Sequence, residues 1–126
     1  MEAIEDLLFS IGGKAKNVGF KYIVDAVKVT QEDPDLVKGP FRNVYRKVAE
    51  MNGKTMASVE RSIIHEVYRI YNAGYEMPEF LSTKPWEEKL SAKEFLTRII
   101  MRANTSDGGA PWMSWKKMSW LQRQPG

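Results

Sequence analysis

Few residues in this 126-residue chain are equipped for chemistry, and the short list narrows what the chain can do. There is no cysteine, which removes disulfides, thiolate zinc sites and cysteine nucleophiles, and His65 is the single histidine. Gly12-Gly13-Lys14 lacks the G-x-x-x-x-G-K-[ST] spacing of a phosphate loop, and the sixteen acidic residues show neither an evident catalytic pair nor EF-hand spacing. No enzyme, cofactor or metal is expected. What remains is a polar and basic set concentrated in one stretch: Arg42, Arg46, Lys47, Lys54, Thr55, Ser58, Glu60, Arg61 and His65. Their chemistry suits duplex DNA. A guanidinium pairs with guanine O6 and N7 together, a carboxylate accepts from the cytosine amino group, and Lys, Arg and His meet phosphates.

Helices must position these groups. Ile4, Leu7, Leu8 and Ile11 recur at helical spacing over Glu2 to Ile11, ahead of Gly12-Gly13. From Gly19 to Thr30, Phe20, Ile23, Val24 and Val27 form one stripe with Lys21, Asp25 and Lys28 away from it. Turn residues make Gln31 to Pro40 a connector with at most one loose turn. A third helix, Phe41 to Met51, buries Phe41, Val44, Tyr45, Val48 and Met51 and leaves Arg42, Arg46, Lys47 and Glu50 outside. Asn52-Gly53-Lys54 is a tight turn and Thr55 the cap of the next helix, which runs to Ala73 and stops at Gly74. That helix gathers Val59, Ile63, Val67 and Ile70 on one side and Ser58, Arg61, His65 and Tyr68 on the other. Two prolines make Tyr75 to Lys89 a loop with room for a short helical turn. Ser91 and Glu94 form a capping box before Phe95, Leu96, Ile99 and Ile100, in a helix ending near Arg102 or Ala103. The expectation is an all-α bundle of about five or six helices.

Two helices joined by a short glycine turn, the second capped and exposing polar groups at its start, have the layout of a helix-turn-helix. On this pattern Arg42, Arg46, Lys47, Lys54, Thr55 and His65 face the DNA backbone, and Ser58, Glu60 and Arg61 face base edges. The pattern alone also fits a protein-interaction module whose helix-turn-helix is only architectural, with Arg61 a solvated charge and His65 a surface imidazole.

The run Val59-Glu60-Arg61-Ser62-Ile63-Ile64-His65 resembles the V-E-R-x-I-x-H signature in the recognition helix of one family. That family is the C-terminal DNA-binding effector domain of the sporulation master response regulator, the stage-zero transcription factor of endospore-forming bacteria. Ile11-Gly12, Gly19-Phe20-Lys21-Tyr22, Asp25-Ala26, Tyr45 with Val48-Ala49, Asn72-Ala73-Gly74 and Glu94-Phe95-Leu96 extend the likeness over roughly residues 4 to 103. The resemblance implies an all-helical module that reads a short promoter box, activates or represses transcription, and lines up in tandem on adjacent boxes. It places Glu60 and Arg61 at base-contacting positions and His65 at a backbone-contacting one. Ser58 and Ile64 stand where the family has arginine, which implies weaker phosphate contact and a different preferred box. The family's receiver domain has no room ahead of a module that starts this near Met1, so control is expected from abundance, the tail or a partner.

The composition, 43% hydrophobic and 28% charged with net charge +3, is that of a soluble domain. With no apolar run near ~20 residues and an acidic N-terminus unlike a secretory signal, the chain is expected in the cytoplasm, away from membranes. A division follows: residues 1–103 form the DNA-binding domain, and 104–126 form a Trp-rich tail. In that tail Trp112, Trp115 and Trp120, interleaved with Lys116 and Lys117, suit either packing on the domain's own core or a partner or self-association surface.

Overall fold

The apolar periodicity becomes five α-helices and no strand among the residues described by the computed structural model, 2–82 and 89–105. They are α1 (Glu2–Ser10), α2 (Val18–Glu32), α3 (Arg42–Asn52), α4 (Met56–Ala73) and α5 (Ala92–Thr105). Tight helical turns at Pro34–Lys38 and Glu79–Leu81 interrupt the two longer connections. The last helix runs slightly past the expected boundary. The expectations for Trp112, Trp115 and Trp120 lie outside the described residues.

α2 is the central element, in contact with each of the other four helices. A helix so placed is buried on more than one stripe, and here Phe20, Tyr22, Ile23, Val24, Ala26, Val27 and Val29 are all buried. Leu8 and Ile11 close one end of this core, Val44 and Val48 of α3 and Ile63 and Ile70 of α4 line its sides, and Phe95, Ile99 and Ile100 of α5 cover it. Two expectations need correction. Asp25, placed off the packed stripe, is only 3% exposed, because α3 packs over the side of α2 that carries it. Met51, placed in the apolar set of α3, is 51% exposed, since it sits in the last turn where the helix leaves the core.

Buried carboxylates are costly without partners, and among the described residues both buried ones, Asp25 and Glu66, have them. The Asp25 carboxylate accepts from Lys21 Nζ at 2.8 Å and from Asn52 Nδ2 at 3.0 Å. Asn52 also donates to the Val48 carbonyl and accepts from Lys21, so the end of α3 is tied to α2. Glu66, on the core side of α4, takes the Lys14 backbone N–H at 3.2 Å and Asn17 Nδ2 at 2.9 Å, which fastens the α1–α2 loop to α4. Asn17 precedes α2 in the capping position, yet its side chain makes this longer-range bond instead. Gly19 permits the close crossing of α2 and α4. A Cβ there would collide with the Ser62 carbonyl oxygen and lie 2.7 Å from Glu66 Cβ.

The Ser91 hydroxyl accepts from the Glu94 N–H at 3.1 Å, as the capping pattern expects, while the Glu94 carboxylate turns forward to Arg98. Tyr71 of α4 donates its phenolic O–H to the Leu81 carbonyl at 2.7 Å, holding the loop after α4 against the core. Burial pushes the Tyr71 phenol up to about 12, with Arg98 opposing the shift. Tyr45 is pushed up to about 12 as well, by burial and then by the negative charge of Glu60. A phenol whose folded-state pKa lies above the ordinary value near 10 stabilises the fold below pH ~10 and loses that contribution as pH rises through about 12. Absorbance at 295 nm and circular dichroism followed together are expected to show late-ionising tyrosines and a loss of helix between pH ~10 and ~12. Ionisation of every tyrosine near pH ~10 with helix content intact would contradict this placement.

Candidate nucleic-acid interface

The interface begins with the turn between α3 and α4. Gly53 adopts φ +63°, a left-handed conformation that glycine reaches without a Cβ penalty. The Lys54 N–H reaches back to the Ala49 carbonyl at 3.0 Å, which satisfies the end of α3 and stops it. Thr55 is extended, and its hydroxyl accepts from the Ser58 N–H at 3.1 Å to cap α4. The two helices are therefore separate elements meeting at a three-residue corner, Gly53-Lys54-Thr55. Asn52, one residue before that corner, is the residue bonded to Asp25. The turn is thus anchored to α2 by a side chain that also bonds the Val48 carbonyl within its own helix.

On α4 the buried positions are Val59, Ile63, Glu66, Val67 and Ile70. At ~100° per residue, the direction opposite them is occupied by Ala57, Arg61, Ile64, His65 and Tyr68, all exposed. This outward strip brings together Arg61 and His65, two of the residues singled out from the sequence. Ser58 lies beside it, half-buried, and Lys54 and Thr55 are exposed at its N-terminal end. That end also carries the positive dipole of α4, which favours a phosphate.

Glu60 projects about 100° away from Arg61, toward α3. There it lines a shallow groove of about 270 Å³ with Phe41, Arg42, Tyr45, Met56 and Lys93. Arg42 is thereby brought beside α4, whereas Arg46 and Lys47 are exposed on α3, and Arg46 Nη1 donates to Asn43 at 3.1 Å within its own helix. Lys93, from the first turn of α5, was not singled out from the sequence. Its Nζ lies 5.9 Å over the Phe41 ring, and nothing in the local pattern of α5 signals its approach to the start of α4.

Among the described residues, no three His, Asp or Glu side chains converge as a metal site requires, and no helix is long and apolar enough to cross a membrane. What the arrangement offers is a helix with a positive N-terminus and an exposed strip that carries a central guanidinium and an imidazole, supported from behind by a packed core. No curated protein and no solved structure matches the chain. A family model described as the C-terminal domain of the sporulation initiation factor Spo0A matches residues 4–102, which takes in all of α2 to α4 and most of α1 and α5. The chain therefore belongs to the Spo0A C-terminal family, the DNA-binding effector domains of a sporulation regulator.

Proposed function

We propose that the chain is a sequence-specific regulator of transcription that reads a short box in duplex DNA by placing the N-terminal half of α4 in the major groove. One observation carries this reading: the strip of α4 opposite its buried side is solvent-exposed and centred on Arg61, and it begins at a capped helix terminus. In a helix-turn-helix those are the positions that reach base edges. Arg61 pairs bidentately with a guanine, Glu60 accepts from a cytosine amino group at the strip's edge, and Ser58 supplies a hydroxyl to a neighbouring base. His65, Lys54, Thr55 and the α4 terminus hold phosphates, with Arg42, Arg46 and Lys47 of the preceding helix contributing positive charge along the backbone.

Selection from a random duplex pool, followed by gel shift across a range of salt, tests this directly. Saturable binding to one enriched box, weakening steeply with salt, is the expected outcome. No enrichment and no binding at low salt would overturn it. His65→Ala is expected to weaken binding to all sequences alike by roughly five-fold and to leave the selected box unchanged, as loss of a backbone contact does. A changed box would show that His65 reads a base.

A further inference from the structure

The outward strip of α4 contains an apolar member that the polar account of base reading does not use. Ile64 is 45% exposed, three residues after Arg61 and one before His65, although the core of α4 has no need of it. Tyr68, four residues further along the same strip, is 68% exposed. An isoleucine left half in water on a surface helix is unremarkable by itself. Its position is what matters, because it lies on the face whose other members are Arg61 and His65, and among the described residues no element covers it.

The major groove offers one apolar feature, the C5-methyl group of thymine. Resting on the reading of α4 as the recognition helix, we infer that Ile64 is a specificity-determining residue that packs against a thymine methyl. Three residues of α-helix advance about 4.5 Å, against about 3.4 Å per base pair, so this thymine lies within about two base pairs of the guanine held by Arg61. Covering the methyl removes apolar surface from both partners, and Tyr68, further along the strip, leaves its ring to shield the contact and its hydroxyl to meet the backbone. The chain thus prefers T to C at that position without a hydrogen bond to either base of the pair.

The test uses the full chain and the box enriched by selection. Each thymine near the guanine protected by Arg61 is replaced in turn by deoxyuridine, which removes the methyl and nothing else. Affinity of the wild-type chain is expected to fall about three- to five-fold at one of these positions. With Ile64→Ala, the same replacement is expected to cost nothing, while the rest of the box remains selected. Ile64→Val, which keeps a branched apolar group, is expected to retain most of the discrimination. If deoxyuridine costs nothing at any position, or costs the same with Ile64→Ala, the inference is wrong while DNA reading by α4 stands. Failure to enrich any box removes the inference together with the reading it rests on.

Discussion

Arg61→Ala is expected to weaken sequence-selected binding sharply while leaving the thermal transition where it was. Arg61 is exposed at the centre of the outward strip, and nothing in the packing behind α4 depends on it. Its loss therefore falls on the complex. A bidentate arginine–guanine pair is worth about 1–3 kcal/mol of discrimination, so affinity for the enriched box is expected to drop roughly five- to 150-fold, with non-specific binding at low salt much less affected. The measurement is a pair of titrations, one on the enriched box and one on a scrambled duplex of equal length. Equal losses on both would show Arg61 to be a backbone contact, and the assignment of the base-reading position would then be wrong.

Gly19→Ala is expected to do the reverse. The added methyl meets the backbone carbonyl of Ser62 and the Cβ of Glu66 at 2.7 Å, neither of which can swing aside as the far end of a long side chain does. Relief requires α2 and α4 to separate. That movement strains the Glu66 bonds to Lys14 and Asn17 and opens the core on both sides of the crossing. Overpacking of this kind costs about 1–3 kcal/mol in ordinary cores, and a rigid backbone obstacle puts this substitution at or above the upper end. For a domain of this size the melting temperature is expected to fall by roughly 15 °C. Gly53→Ala provides the comparison: no atom lies within 4 Å of its would-be Cβ, so only the left-handed backbone, at φ +63°, opposes it. Its cost is expected to be about 1–2 kcal/mol. A Gly19→Ala variant as stable as the parent would mean that α2 and α4 do not cross as closely as described.

The helices themselves were legible in the sequence because their apolar spacing is a local signal. Val59, Ile63, Val67 and Ile70 recur at a helical period and are buried, and Asn52-Gly53-Lys54 marks the corner with a residue that tolerates positive φ. The exposure of Arg61 and His65 follows from the same period. What the sequence concealed is the set of contacts between residues far apart along the chain. Asp25 looks like a surface charge until α3 covers it and Asn52 meets it. Glu66 looks like a solvated partner for Arg69, yet its carboxylate is directed at the α1–α2 loop. Gly19 reads as an ordinary glycine near a helix start, since the need for a missing side chain is set by α4, more than forty positions away. The groove that Glu60 lines at the edge of the strip was equally hidden, since Lys93 reaches it from a helix more than thirty positions further along the chain.

The orientation of α4 in the groove is tested most directly by dimethyl sulphate, which methylates guanine N7 in the major groove and adenine N3 in the minor groove. In the complex with the enriched box, one guanine N7 is expected to be protected by the wild-type chain and to regain full reactivity in the complex with Arg61→Ala, formed at a concentration that restores occupancy. Protection confined to adenine N3, with every guanine N7 still reactive, would contradict entry of α4 into the major groove.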